Sequence, residues 1–249
     1  MTAHTIMPTP VQNHPLQKKD VLSDSHNPAL LARWPVIGLI MFLFGSLIFG
    51  ALTYNLRYQW PLLESDLVIA NTLPAVALQS SPYVKVIIDA GFYIGDQVII
   101  VLGVLLGIYL LIKRYWREFA LLTIGPAGSS LLFLSLSNLI ARARPPTQIW
   151  IIVNLPGFPS WHAITVVAFY GLMAYLLVPK ISSAFGKVVV VTVALLIIVF
   201  VGYSRIFTGC HYLTYILAGY AVGIAWSGVA YTLIEIYVQK RRSKNVQKE

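Results

Sequence analysis

Long runs of apolar residues, separated by short polar connections, occupy most of the chain from residue 35 onward. A helix needs about 20 apolar residues to cross the roughly 30 Å hydrocarbon core of a bilayer. Six stretches are long enough, and they lie at residues 35–55, 95–113, 118–140, 162–179, 187–204 and 213–238. The pattern therefore predicts an all-α, polytopic membrane protein with six transmembrane helices in one bundle.

The remaining segments are polar or mixed. Residues 1–33 are polar and rich in proline, which predicts a disordered cytoplasmic tail. The interval 56–94 is mixed, and there we expect one short interfacial helix around residues 75–86. The six-helix membrane domain then covers residues 34–239, and a basic cytoplasmic tail follows at 240–249.

Composition and charge agree with a membrane protein and exclude other classes. Of the residues, 57% are hydrophobic and only 11% are charged, whereas soluble domains carry about 25% charged residues. The net charge of +9 does not indicate nucleic acid binding, because the basic residues flank the apolar runs as headgroup anchors do. The single cysteine, Cys210, excludes an intrachain disulfide and a multi-cysteine metal site.

The distribution of Lys and Arg predicts the orientation in the membrane. If both termini are cytoplasmic, thirteen of the 18 basic residues lie on the cytoplasmic side, as the positive-inside rule requires. Three of the exceptions lie on the outer side of the membrane, at the ends of spans three and five. They are Arg142, Arg144 and Arg205. Because no secretory signal or transit segment is recognisable, a bacterial-type plasma membrane is favoured, and a thylakoid or organelle membrane stays open.

Three short polar stretches follow one another at the predicted outer face. They are Ser137-Asn-Leu-Ile-Ala-Arg-Ala-Arg144-Pro145 at the end of span three, Pro159-Ser160-Trp161-His162 at the start of span four, and Ser204-Arg205 with His211 between spans five and six. Singly, each has an ordinary explanation, such as a structural histidine or a snorkelling arginine. Together, two arginines, two histidines and a serine predict a pocket for a tetrahedral oxyanion, because arginine forks bind phosphate oxygens bidentately.

These stretches resemble the three signature motifs of the type 2 phosphatidic acid phosphatase and vanadium haloperoxidase superfamily. Those motifs read Lys-x6-Arg-Pro, Pro-Ser-Gly-His and Ser-Arg-x5-His-x3-Asp, and their order and spacing match over about residues 35–238. The resemblance implies a metal-independent phosphatase without a cofactor, acting on a lipid phosphate or polyprenyl diphosphate. It also implies an active site at the outer membrane face.

By position, the resemblance implies a role for each matching residue. His211 would be the nucleophile that forms a phosphohistidine, and His162 would be the general acid that protonates the departing oxygen. Arg144, Ser160 and Arg205 would hold the phosphate oxygens and neutralise their charge. Phosphoryl transfer depends on such positioning and positive charge.

The sequence departs from the motifs at three positions. Ser137 replaces the family's lysine, Trp161 replaces its glycine, and Tyr215 replaces the aspartate that orients the nucleophilic histidine. Losing an orienting carboxylate in an analogous triad costs about 10⁴ in kcat. Asp89 or Asp96, at the outer start of span two, could supply the missing carboxylate, although capping or solvating that helix end is the more ordinary role for each.

Three functions follow from this pattern. The first is a working lipid phosphate or polyprenyl diphosphate phosphatase with a rewired site. The second is a pseudophosphatase that binds phospholipid or serves as an accessory membrane subunit. The third is a vanadate-dependent peroxidase, which the membrane spans and the absent lysine disfavour. The expected partners are the bilayer and a membrane lipid phosphate, with no nucleic acid, and the sequence does not indicate a protein partner.

Overall fold

The computed structural model describes residues 34–58, 61–146 and 156–246, so the whole predicted N-terminal tail, residues 1–33, lies outside the described residues. These residues form eight α-helices, followed or joined by short turns. The helices are α1 Trp34–Arg57, α2 Leu62–Gln79, α3 Pro82–Gly95, α4 Gln97–Ile112, α5 Trp116–Ile140, α6 Trp161–Leu177, α7 Ala184–Phe207 and α8 Leu213–Val246.

Six helical segments are long and apolar enough to cross a bilayer, which confirms the predicted number of spans. They are Val36–Arg57, Pro82–Ile112, Trp116–Ile140, Trp161–Lys180, Ala184–Phe207 and Leu213–Val238. The chain is thus an integral membrane protein. The last helix continues beyond its apolar part to Val246, so most of the predicted basic tail is helical.

The prediction of a single interfacial helix around residues 75–86 is wrong. Two helices, α2 and α3, meet at Ser80 and Ser81, in the middle of the predicted element. Pro82 starts the second helix, because proline fits the first helical turn and cannot continue the preceding one. The second span therefore begins earlier than predicted, and it is interrupted at Asp96 (φ −121°, ψ −78°) between α3 and α4.

Helices α6 and α8 form the centre of the bundle, and α6 packs against α5, α7 and α8. The hydrophobic core around these helices contains Phe169 and Leu172 of α6 and Tyr231 of α8, which are all nearly or fully buried. Because α6 is surrounded, its first residues are fixed in position, and these residues carry the second polar motif.

Helix α1 packs antiparallel along α8 through small residues. A Cβ placed on Gly45 would lie 2.4 Å from the carbonyl oxygen of Ala221, so the two backbones are in close contact. Farther along α1, Phe49 stacks on Phe158 with ring centroids 5.8 Å apart. Phe158 in turn packs edge-on against Tyr215 at 5.3 Å. Helix α1 therefore supports the segment that carries the polar motifs.

Candidate active site

The five predicted site residues come together at one end of the bundle. Arg144 follows α5, Ser160 and His162 begin α6, Arg205 lies in the last turn of α7, and His211 lies just before α8. Antiparallel spans bring these helix ends to the same level. The convergence follows from the order of the motifs along the chain.

His211 faces the guanidinium of Arg144. Arg144 Nη1 lies 3.0 Å from His211 Nε2 and donates to the carbonyl oxygen of Cys210 at 3.2 Å. Because a guanidinium is only a donor, the contact assigns the lone pair to Nε2 and the proton of a neutral ring to Nδ1. His211 thus presents an unprotonated nitrogen next to a fixed positive charge.

A tight turn ties Arg205 to His211. The carbonyl oxygen of Arg205 accepts from the backbone N–H groups of Cys210 at 3.0 Å and His211 at 3.2 Å. Gly209 allows the turn because its φ is +71°, in the left-handed region where a Cβ is unfavourable. The five-residue spacing in the third motif therefore corresponds to one compact turn with both side chains at the site.

Burial is the main cause that lowers the pKa of His211 well below its ordinary value of 6.5. The charges of Arg144, His162 and Arg205 act in the same direction, and the backbone of Gly157 acts in the opposite one. The ring is consequently neutral near pH 7. A neutral imidazole is the form that can act as a nucleophile.

The lowered pKa predicts a pH dependence of stability. The unfolded chain protonates this histidine near 6.5, whereas the folded protein does so only at lower pH. The free energy of unfolding should therefore fall below that pH, by up to about 1.4 kcal/mol per pH unit. Unfolding measured in detergent at about pH 7.5 and about pH 5.5 should show a smaller difference for His211→Asn than for the wild type. Equal differences would contradict this assignment.

His162 belongs to a second charged group that includes Asp96 and Arg205. Asp96 Oδ1 lies 3.1 Å from His162 Nε2, and Asp96 Oδ2 accepts a hydrogen bond from Arg205 Nη2 at 3.1 Å. The rings of His162 and His211 have centroids 6.2 Å apart. A phosphate group located between the two rings would also meet Arg144 and Arg205.

Ser160 is completely buried and serves the helix that follows it. Its hydroxyl accepts from the backbone N–H of Ala163 at 3.5 Å, as an N-cap does. Its own N–H donates to the carbonyl oxygen of Tyr215 at 3.0 Å. Ser160 therefore joins the start of α6 to the start of α8.

Two of the departures from the family motifs make specific contacts. The indole of Trp161 donates to Ser130 Oγ on α5 at 3.1 Å, and its ring lies 4.8 Å from that of His162. The hydroxyl of Tyr215 donates to the carbonyl oxygen of Ala143 rather than to His211. Tyr215 thus does not orient the predicted nucleophile.

The other auxiliary residues divide between the site and the surrounding helices. Asp96 is part of the site, but it contacts His162 and Arg205 instead of His211. In the described part of the chain, neither Asp89 nor the side chain of Ser137 makes a polar contact with the five site residues. Ser137 is buried near the end of α5, where its carbonyl oxygen accepts from Ala141 N.

A supporting group around Asp66 was missed from the sequence. This buried carboxylate of α2 accepts from the N–H of Thr214 at 2.9 Å and from its hydroxyl, in the first turn of α8. Arg142 lies 4.0 Å from it and 5.1 Å above the ring of Tyr215. Burial raises the pKa of Asp66. The available signal was an acidic residue next to an apolar run, but the mixed character of the interval obscured it.

An apolar groove leads away from the site between α4, α5 and α6. Its volume is about 530 Å³, within the range of about 300–1,000 Å³ that is usual for ligand pockets. Asp96, Ser130 and Trp161 line its upper end, and Gly103 and Leu111 lie farther along α4. The groove therefore begins at Asp96, which contacts His162 and Arg205, and runs from there along α4.

Comparison with protein families gives one match that covers more than half of the chain. The model of the PAP2 superfamily matches residues 99–238. This range contains all three polar motifs, the last four spans and α4 from Ile99 onward. It does not contain α1, α2 or α3.

Two individual proteins are also similar. Phosphatidylglycerophosphatase B of Bacillus subtilis (strain 168) is 34% identical over 92 residues, which are 36% of this chain and 44% of that protein. The match thus covers less than half the length of this curated relative. A solved structure, described as the first transmembrane PAP2 type phosphatidylglycerolphosphate phosphatase from Bacillus subtilis, has the same fold with a TM-score of 0.64. It is 24% identical, and the match covers 82% of this chain and 96% of that one.

Proposed function

This chain belongs to the PAP2 superfamily, and from that premise we propose that it is a membrane-embedded phosphatase of lipid phosphates that works without a metal ion. The observation that supports the proposal most strongly is the contact between His211 and Arg144. It places an unprotonated ring nitrogen 3.0 Å from a guanidinium. The turn that carries His211 also carries Arg205. A nucleophile and two phosphate-binding cations are thereby close together.

In the proposed reaction, His211 Nε2 attacks phosphorus, and the bond between phosphorus and the lipid oxygen breaks. His162 gives a proton to that oxygen, so the lipid leaves as an alcohol and a phosphohistidine remains. A water molecule then attacks phosphorus, returns a proton to His162 and releases inorganic phosphate and free His211. Arg144 and Arg205 neutralise the charge on the phosphate oxygens in both steps.

The apolar groove supports a lipid as the substrate. It begins at Asp96 and Trp161, beside His162, and it runs along α4 among apolar residues. An acyl chain in this groove would place an attached phosphate in the pocket. Phosphatidylglycerophosphate, the lipid for which the two similar proteins are named, fits this arrangement, and we include it among the candidate substrates with phosphatidic acid and polyprenyl diphosphates.

A larger side chain that fills the groove tests whether the groove binds an acyl chain. A Cβ on Gly103 would meet only Phe169 Cε2, at 3.6 Å, so a leucine there would enter the groove without striking the backbone. We expect Gly103→Leu to raise KM for a long-chain lipid phosphate at least about fivefold, since apolar contact is worth about 1 kcal/mol or more. KM for a short-chain phosphate ester should stay within about twofold.

Gly50→Leu is the matched control, because a Cβ at Gly50 has no neighbour within 4 Å. This residue lies on α1, away from the groove. Equal effects of Gly103→Leu on long and short substrates would contradict a role of the groove in acyl-chain binding.

We also propose the orientation that the charge distribution predicts. The site would face the outer side of a bacterial-type plasma membrane, and both termini would be cytoplasmic. Lys113 and Lys180 lie in connections at the end of the bundle opposite the site, as the positive-inside rule expects. The pocket would then meet phosphate headgroups of the outer leaflet.

Phosphate release by the purified full-length protein in detergent tests the proposed function. The substrates are phosphatidic acid, phosphatidylglycerophosphate and a polyprenyl diphosphate, with a metal chelator present in each assay. Release from at least one substrate supports a phosphatase. Binding of these lipids without release from any of them would instead favour the second candidate.

That second candidate is a pseudophosphatase that binds phospholipid or serves as an accessory membrane subunit. The observation in its favour is the side chain of Tyr215, which replaces the family's aspartate and donates its hydroxyl to Ala143. Among the residues that the structure describes, no carboxylate contacts His211 to stabilise an imidazolium during turnover.

A further inference from the structure

Asp96 makes contacts that the family motifs do not account for. It lies at the break between α3 and α4, where its backbone is not helical. One carboxylate oxygen is 3.1 Å from His162 Nε2, and the other accepts from Arg205 Nη2 at 3.1 Å. Asp96 thus bridges two of the five residues assigned to the phosphate pocket.

The burial of Arg205 explains why a carboxylate is needed there. Only 3% of this side chain is exposed, and a buried charge is costly unless it is paired. Its guanidinium also lies over the ring of Phe92, 3.7 Å from the centroid. Asp96 therefore balances the charge of Arg205 when no other anion does so.

We propose that Asp96 is an internal competitor of phosphate, whose carboxylate occupies the place of a phosphate oxygen between His162 and Arg205. The proposal rests on the proposed function, since it assumes that these two residues bind phosphate. A phosphate that enters the pocket must displace the carboxylate from both partners. The cost of this exchange weakens the binding of every phosphate by the same amount.

A lipid phosphate can offset this cost, whereas free inorganic phosphate cannot. Asp96 also lines the upper end of the apolar groove, so an acyl chain gains contacts in the groove while its headgroup displaces the carboxylate. Inorganic phosphate binds only to the charged pocket. Asp96 therefore promotes release of the inorganic product, while the contacts in the groove keep the lipid-attached substrate bound.

The test is the affinity of the full-length protein in detergent for inorganic phosphate, measured by isothermal titration calorimetry without a lipid substrate. Asp96→Asn removes the competing charge and should tighten binding at least about tenfold. Asp96→Glu keeps the charge and should stay within about threefold of the wild type. Asp89→Asn removes another carboxylate of the same region and should leave the affinity unchanged.

A second variant and a second measurement guard against a folding defect in Asp96→Asn. Asp96→Ser should tighten phosphate binding in the same direction, and in turnover assays both variants should lower the inhibition constant of inorganic phosphate. Unchanged or weaker binding in the variants, while the wild type binds phosphate, would overturn the proposal alone. If none of the proteins, including the wild type, binds phosphate, the proposed function fails as well.

Discussion

Replacing His211 with alanine should lower kcat for phosphate release at least about 10⁴-fold, since it removes the nucleophile of the proposed reaction. The ring is neutral because burial lowers its pKa, and Arg144 faces its lone pair at 3.0 Å. A covalent phosphoenzyme, trapped from a short-chain substrate by an alkaline quench, should form in the wild type and be absent from His211→Ala. Phosphate release and trapping are measured on the same preparation.

Lys85→Ala serves as the control for this experiment, since Lys85 is outside the pocket and contacts the carbonyl oxygen of Leu78. Its kcat should remain within about twofold of the wild type. If His211→Ala kept more than about a tenth of the wild-type kcat, the assignment of the nucleophile would be wrong.

Replacing Tyr215 with alanine should reduce the free energy of unfolding by about 3–5 kcal/mol, the usual cost of removing a large buried ring. Tyr215 is completely buried, packs edge-on against Phe158 and lies beneath the guanidinium of Arg142. Tyr215→Phe keeps the ring and loses only the hydrogen bond to Ala143, so it should cost about 1 kcal/mol. Denaturant titration in mixed micelles measures both values.

Tyr83→Ala is the matched control, because Tyr83 is 82% exposed and its loss should change stability by less than about 0.5 kcal/mol. Activity gives a separate result. Since the hydroxyl of Tyr215 does not contact His211, Tyr215→Phe should keep most of the wild-type turnover. A large loss of kcat in Tyr215→Phe, without loss of stability, would show that the hydroxyl takes part in the reaction.

The sequence predicts the spans and the grouping of the site because both depend on local signals. Length and hydropathy define a membrane helix regardless of its neighbours. The positions of Arg144, His162, Arg205 and His211 next to span ends then bring these residues to one level. The turn at Gly209 is also local, and its spacing is visible in the third motif.

The partners of charged residues could not be predicted in the same way, because they depend on how distant helices pack. The sequence allows Asp96 to orient His211, yet the break at the end of α3 directs it to His162 and Arg205. Asp66 contacts Thr214 across 148 positions of the chain. The pattern of apolar and polar residues within α2 does not predict that contact.

The position of Trp161 illustrates the same limit. The sequence shows that a large ring replaces a glycine. The structure shows where the ring lies, since its N–H is bound to Ser130 of the neighbouring helix. The indole thus lines the groove beside His162, a position that only the packing of α5 against α6 determines.

The close packing of α1 on α8 has a consequence for how the protein can be divided. The region that carries the three motifs is recognisable as a sequence unit at residues 99–238, but its packing depends on α1. Without α1, the small-residue face of α8 around Ala221 and the ring of Phe158 would be left uncovered. The mobile chains of lipid or detergent would fill the gap, and the packing around His211 would become less rigid. A fragment made for expression or chimera design should therefore begin no later than α1.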